Sequence, residues 1–121
     1  MVVTTEDTLK MASKRLVELK RTAPLLGVGK VRVRVGESFP VTANVLADNV
    51  DSCAVSLGFD DLALEEITRN PNPLMFLGPS VRDEVQWELR GKKAIRETSV
   101  RINAVGNGLP QLSEFAVEVT R

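Results

Sequence analysis

The sequence predicts an all-β domain, a two-sheet antiparallel sandwich of seven or eight short strands, preceded by one amphipathic α-helix. Two observations predict the sandwich. From residue 30 onward, apolar and polar side chains alternate in short runs, as they do in strands that bury one face. Turn residues, chiefly Gly, Pro, Asn and Asp, interrupt these runs about every ten residues. An up-and-down barrel is the weaker alternative.

The N-terminal helix is predicted over residues 5–21, TEDTLKMASKRLVELKR. Thr4 or Thr5 can cap its start, acidic residues follow the cap, and basic residues close its end before Pro24. Four apolar side chains recur at helical spacing and form one stripe: Leu9, Ala12, Leu16 and Leu19. We expect this stripe to pack either on the sandwich itself or on a partner protein or a second copy of the helix.

A hinge is predicted after the helix, in segment 23–29, because APLLGVG carries one Pro and two Gly. Behind this hinge the spacing of apolar residues changes from the helical period to the strand period. The chain is therefore divided into a helix with its hinge, residues 1–28, and a sandwich, residues 29–121.

The first half of the sandwich is predicted to hold three alternating strands. Their inward side chains are Val31, Val33 and Val35, then Phe39, Val41, Ala43, Val45 and Ala47, then Cys53, Val55, Leu57 and Phe59. Pro40 has no N–H to donate, so its end of the second strand should lie at an edge or a bulge. Residues 62–68 suit either a short strand or a helical turn, and we favour the strand.

The second half begins with a short apolar edge strand, LMFL, at residues 74–77. The clearest alternation in the chain follows in residues 83–90, where one face carries Val85, Trp87 and Leu89. Two further strands are predicted over residues 97–105 and 112–120. We expect Trp87 to fill the core rather than to serve as a platform for sugars, since a Trp in a central strand of a sandwich is usually buried.

The order VRVGESFPVTANV, then LGPSVRDEVQWELRG, then SVRINAVG resembles the immunoglobulin-like accessory domains of the CARDB and NEW3 kind, which occur in bacterial and archaeal proteins. The resemblance covers residues 30–120. It implies an immunoglobulin-like β-sandwich that acts as a spacer, an adhesion unit or a docking module, with no shared active site. Two features depart from the family pattern: Gly78 precedes Pro79 where the family places the Pro first, and the N-terminal helix has no counterpart.

The composition argues against several classes of function. The chain has 16 basic and 16 acidic residues, so no surplus of positive charge favours nucleic acids or anionic membranes. It has no histidine, which is the commonest metal ligand and general base. We therefore expect no enzymatic activity, no metal and no other cofactor.

Cys53 is the only cysteine, so no disulfide forms within the chain, and its inward position predicts a core thiol. The residues Asp48, Asn49, Asp51, Asp60 and Asp61 fall in turns, where Asp and Asn are ordinary turn formers, so a calcium site is not favoured. The start of the chain lacks the features of a signal peptide, and no apolar run is long enough to span a membrane. The cytoplasm is slightly favoured, with an extracytoplasmic fragment as the alternative.

These observations predict a non-enzymatic module for protein–protein interaction or assembly, whose partner is another protein or a second copy of itself. It would dock through the stripe of Leu9, Ala12, Leu16 and Leu19, or through an exposed sheet edge. Candidate edges lie around Pro40, residues 62–68 and residues 74–77.

The alternative function is nucleic-acid binding through a basic hairpin at residues 90–96, formed by Arg90, Lys92, Lys93 and Arg96. Glu84, Glu88 and Glu97 are interleaved on the same strands and can form cross-strand pairs with these cations. A solvated, mixed-charge hairpin is therefore the favoured interpretation of this cluster.

Overall fold

The structure is a computed structural model that describes residues 16–24 and 30–121. This part of the chain forms nine strands and contains no helix. The strands are β1 (Leu16–Ala23), β2 (Lys30–Arg34), β3 (Ser38–Asp48), β4 (Ser52–Phe59), β5 (Leu64–Glu66), β6 (Leu74–Leu77), β7 (Ser80–Gly91), β8 (Ile95–Gly106) and β9 (Leu109–Thr120).

The strands form two sheets with a shared core, so the predicted two-sheet sandwich is confirmed. The described residues form nine strands rather than the seven or eight predicted, because residues 16–23 add β1. The four-stranded sheet has the order β1-β3-β7-β5, and the five-stranded sheet has the order β2-β9-β8-β4-β6. The pairs are antiparallel except that β2 runs parallel to β9. A parallel neighbour requires a long connection along the chain, and β2 and β9 lie near opposite ends of the described sequence.

The helix predicted over residues 5–21 is not seen in the described residues. Residues 16–21 instead belong to β1, which pairs antiparallel with β3 from Leu16 opposite Asp48. The predicted helical residues before Leu16, which include Leu9 and Ala12, lie outside the part that the structure describes.

The sequence of β1 satisfies a period of two as well as the helical period. Val17 is buried and Leu19 is half-buried, whereas Glu18 and Lys20 are exposed. The backbone of β3 supplies hydrogen-bond partners along this segment, and tertiary pairing of that kind overrides a helical preference. The sandwich therefore includes residues 16–23, which precede the boundary proposed at residue 29.

The core consists of the inward side chains of both sheets. Most of the predicted inward residues are buried: Phe39, Val41, Ala43, Val45, Ala47, Cys53, Val55, Leu57, Val85, Trp87 and Leu89. The buried apolar side chains of β8 and β9 are Val100, Ile102, Ala104, Phe115, Val117 and Val119. Val35 was also predicted to point inward, and this prediction is wrong, because Val35 is 46% exposed and follows the end of β2. Phe39 and Phe115 meet edge to face across the core, with ring centroids 6.5 Å apart.

Two local predictions about strands and edges are also confirmed. Pro40 pairs with Glu88 of β7, while β1 ends opposite Thr42, so the Pro40 end of β3 has no β1 residue beside it. The short strand favoured within residues 62–68 is β5.

Gly78 marks the closest backbone approach in the β6–β7 connection. A Cβ atom at this position would lie 1.7 Å from the carbonyl oxygen of Val50. The Gly78 N–H donates to the carbonyl oxygen of Asp51 at 2.8 Å, which holds the two turns together. No side chain fits here without a shift of the backbone.

Replacing Trp87 tests the core. Trp87 has no exposed surface, so Trp87→Ala should lower the free energy of unfolding by about 3–5 kcal/mol. Trp87→Phe should cost less, because the indole N–H has no hydrogen-bond partner among the described residues and its removal leaves no acceptor unpaired. Urea titration followed by circular dichroism measures both. Leu77→Ala, at a position that is 81% exposed, should change little, and equal losses in all three variants would contradict the assignment.

Replacing two glycines compares two reasons for glycine, which are the lack of room for a side chain at Gly78 and the left-handed backbone at Gly108. Gly108 has a φ of +81° with nothing within 4 Å of its Cβ position, so Gly108→Ala should cost only about 1 kcal/mol. Gly78→Ala should cost more, because the new methyl group would meet the Val50 carbonyl. Thermal unfolding of the two variants compares them directly, and a higher melting temperature for Gly78→Ala than for Gly108→Ala would show that the close approach is not present.

Candidate interaction surfaces

In the described part of the chain, four strands lie at sheet edges: β1 and β5 in the four-stranded sheet, and β2 and β6 in the five-stranded sheet. An edge strand leaves one row of backbone N–H and C=O groups that can pair with a strand of another chain. β5 has three residues, and β6 has four residues that lie between Pro73 and Pro79. Short edges that are bounded by proline offer little backbone for pairing.

β1 is the longest edge strand in the described part of the chain. Its eight residues contain no proline, and they pair with β3 on one side only. Val17 and Leu19 lie on its inward face, whereas Glu18 and Lys20 are exposed. Charged side chains on an edge discourage indiscriminate pairing, so this combination suits a selective partner.

Arg21 lies on β1 beside this open edge. Its guanidinium carbon is 4.5 Å from the centroid of the Phe115 ring, a cation–π contact between β1 and β9. The Nε atom is buried without a hydrogen-bond partner among the described residues, and burial lowers the pKa of the guanidinium. Within residues 16–24 and 30–121, no carboxylate forms an ion pair with Arg21.

The predicted apolar stripe is not assembled on the described residues. Leu16 and Leu19 are an odd number of residues apart on β1, so they point to opposite faces of the sheet. Both nevertheless belong to the open edge strand. Leu9 and Ala12 lie outside the described residues, and their part in any interface stays a prediction.

The predicted basic hairpin is largely occupied by local contacts. Arg90 forms an ion pair with Glu65, and its Nε donates to the same carboxylate at 2.5 Å. The Lys92 ammonium donates to the carbonyl oxygen of Asp61 at 2.8 Å. The side chains of Lys93 and Arg96 are exposed, so the four cations do not form one free positive surface.

The acidic turns serve the fold. The carboxylate of Asp60 accepts a hydrogen bond from the N–H of Leu62 at 3.0 Å, and that of Asp48 accepts one from the hydroxyl of Ser80 at 2.9 Å. Among the residues that the structure describes, no three His, Cys, Asp or Glu side chains are placed to hold a metal ion. The same residues include no helix long and apolar enough to cross a membrane.

Cys53 is fully buried on β4, in agreement with the predicted core thiol. Burial raises the pKa of this thiol, because the apolar surroundings disfavour the thiolate. The thiolate is the nucleophilic form of cysteine, so this arrangement does not produce a reactive site.

Known proteins resemble this chain in fold, at low sequence identity. No protein-family model matches the chain, and no curated protein matches it. The Escherichia coli alpha-2-macroglobulin fragment from domain MG7 to the C-terminus is similar in structure, with a TM-score of 0.56, 18% identity and 90% of this chain covered. Salmonella alpha-2-macroglobulin reacted with methylamine gives a TM-score of 0.52, 16% identity and 88% coverage.

A similar arrangement occurs in domains 4 and 5 of the S-layer protein SbsC, with a TM-score of 0.51, 11% identity, and coverage of 89% of this chain and 54% of that one. The chain spans 17% of the Escherichia coli fragment and 7% of the Salmonella protein. Together with the sheet order, these likenesses show an immunoglobulin-like β-sandwich.

The position of Arg21 on a strand was not predicted, because residues 5–21 were expected to form a helix that ends at this residue. The signal that could have found it is the alternation within LVELKRTA, where Val17 and Leu19 are separated by Glu18. Continued by two residues, the same alternation puts Arg21 on the core side of a strand.

The buried thiol yields a prediction about reactivity. At about pH 8 the native chain should react with iodoacetamide far more slowly than a free thiol, since Cys53 is buried and its raised pKa keeps it protonated. One thiol should become reactive on unfolding in guanidinium. Leu77→Cys adds an exposed thiol as a control, and mass spectrometry counts the labels. Rapid labelling of Cys53 in the native chain would contradict its place in the core.

Proposed function

We propose that this chain is a non-enzymatic module for protein–protein interaction or assembly, and that it docks by adding a strand of its partner to the open edge of β1. The observation that carries the proposal is the length of that edge, eight residues without proline and with backbone pairing on one side only in the described part. Leu16 and Leu19, two of the predicted interaction residues, lie on this strand.

The side chains of β1 favour a selective partner. A strand added beside β1 would place alternate side chains next to Val17, Leu19 and Arg21 on the core side. Apolar residues suit the first two positions, and a carboxylate suits the position beside Arg21, whose guanidinium has no anionic partner among the described residues. Main-chain hydrogen bonds would supply affinity, and these side-chain pairs would supply specificity.

The proposed module is of the CARDB and NEW3 kind. An accessory domain of the CARDB and NEW3 kind, attached to or assembled with a larger protein, is consistent with the immunoglobulin-like sandwich formed by the described residues. The alternative, nucleic-acid binding through the hairpin at residues 90–96, is the weaker proposal, because Arg90 and Lys92 already have partners within the chain.

A proline scan through residues 17–22 tests the edge. Successive N–H groups of a strand point to opposite sides, so alternate variants should lose a hydrogen bond to β3 and melt at lower temperature. The other variants should keep their melting temperature, since their N–H groups face the open edge. These stable variants should lose most of their binding to a partner that the intact chain captures from extracts of its source cells and that is then purified and titrated.

Alanine at each of the same positions is the matched control, because alanine keeps the N–H that proline removes. Binding that is equal for the proline and alanine variants would show that the edge of β1 is not used. Failure of the intact chain to retain any protein would equally refute the proposal. In a positive case, amides of β1 should exchange with deuterium more slowly in the complex than in the free chain.

A further inference from the structure

The outer face of the five-stranded sheet carries a shallow groove of about 640 Å³ over β4, β8 and β9. We call it the sheet groove and define it by its lining residues, which are Ser56, Leu57, Gly58, Arg101, Asn103, Pro110 and Leu112. It lies on the opposite sheet from β1 and is separate from the edge described above.

The groove exists because the outward residues of β4 are small. Cys53, Val55 and Leu57 point into the core, so the outward set is Ser52, Ala54, Ser56 and Gly58, none of which is charged. The neighbouring strands carry larger side chains in register: Ser56 pairs with Asn103, which pairs with Leu112. Leu112 is 62% exposed and forms one wall.

One end of this face is apolar. A row across β6, β4, β8 and β9 contains only apolar residues: Met75, Ala54, Val105 and Pro110. The outer face of the four-stranded sheet differs, since the outward residues of β7 are Arg82, Glu84, Gln86, Glu88 and Arg90. A solvated outer face of an antiparallel sheet is normally polar, so a row of apolar residues across four strands is unusual on such a face.

Polar side chains of the groove lack partners among the described residues. Among residues 16–24 and 30–121, no hydrogen bond or ion pair engages the guanidinium of Arg101 or the amide of Asn103. Glu114 lies opposite Arg101 on β9 but forms no ion pair with it, whereas Arg32 on the same face pairs with Glu118 at 3.1 Å. The Nε atom of Arg101 lies 3.6 Å from the position of a Cβ on Gly58, at the edge of the groove.

We propose that the sheet groove binds a segment of a partner protein that presents apolar side chains next to a carboxylate. The apolar side chains would cover Pro110 and Leu112 in the groove and Val105 beside it, and the carboxylate would accept hydrogen bonds from Arg101. The amide of Asn103 can donate to and accept from the backbone of the segment. This second surface does not depend on strand addition at β1, so the domain can hold two segments at once.

Selection of a random-peptide phage library on the intact chain tests the groove. The selected peptides should combine apolar residues with at least one glutamate or aspartate. A labelled synthetic peptide of the selected sequence, titrated by fluorescence polarisation, should bind more tightly than the same peptide with its carboxylates replaced by amides. Arg101→Gln should weaken binding by about tenfold or more, as expected for the loss of one charge-assisted contact.

Three further variants make the result specific. Arg32→Gln removes the same charge from the same face outside the groove, and it should leave the affinity unchanged. Gly58→Val should fill the groove and abolish binding while the fold is retained, because valine suits a strand and a Cβ here meets only ordinary contacts. A proline variant at the open edge of β1 should bind the peptide as the intact chain does, which separates this surface from the proposed function.

Selected peptides without carboxylates, or an affinity that neither Arg101→Gln nor Gly58→Val changes, would overturn the proposal. A second copy of the chain in the groove would also overturn it. In that case the mass of the intact chain in light scattering would be that of a dimer, and Leu112→Lys would return it to the monomer.

Discussion

The contact between the inner faces of the two sheets is the constraint on which the rest of the structure depends. Trp87, Leu89 and Val41 from one sheet and Val55, Ile102 and Val117 from the other are all fully buried. Because side chains alternate along a strand, each residue that enters this layer determines which of its neighbours face solvent. Core packing therefore sets the register of every long strand and, with it, the composition of both outer faces.

The parts of the strands that do not face the core differ from one surface of the sandwich to another. The outer face of β7 carries charges and amides, as water requires, whereas the outer face of β4 carries small uncharged residues beside an apolar row. The edges differ in a similar way. β5 and β6 are short, while β1 offers eight residues of backbone. The outer faces therefore differ in their side chains, whereas the edges differ in the length of their strands.

The equal numbers of basic and acidic residues conceal a local difference, which is that some arginines have a carboxylate partner and others do not. Arg90 is paired with Glu65 and Arg32 with Glu118, so these cations are already neutralised by neighbours on adjacent strands. Arg21 and Arg101 have no such partner among the described residues. A cation that lies beside apolar surface without a counter-ion can contribute to recognition of an acidic group, whereas a paired one contributes little.

Most of the fold could be predicted from alternation, and most of the candidate surfaces could not. The inward positions of β3, β4, β7, β8 and β9 follow from a period of two that the sequence displays without ambiguity. Residues 16–21 display both the helical and the strand period, so local spacing could not decide between them. The groove also had no sequence signal beyond the small residues of β4, because Leu112 is more than 50 positions from Ser56 in the chain.

The sequence by itself determined the two-sheet β-sandwich, the burial of Trp87 and Cys53, and the lack of histidine chemistry. These properties depend on residue type and on spacing within single strands. Only the tertiary structure decided that residues 16–21 lie in a strand, that Arg21 contacts Phe115, and that Arg101 lines the sheet groove. Each of these depends on pairing between distant strands, and the physical reason is the same: backbone and side-chain partners that lie far apart in sequence outweigh local preference once the sheets assemble.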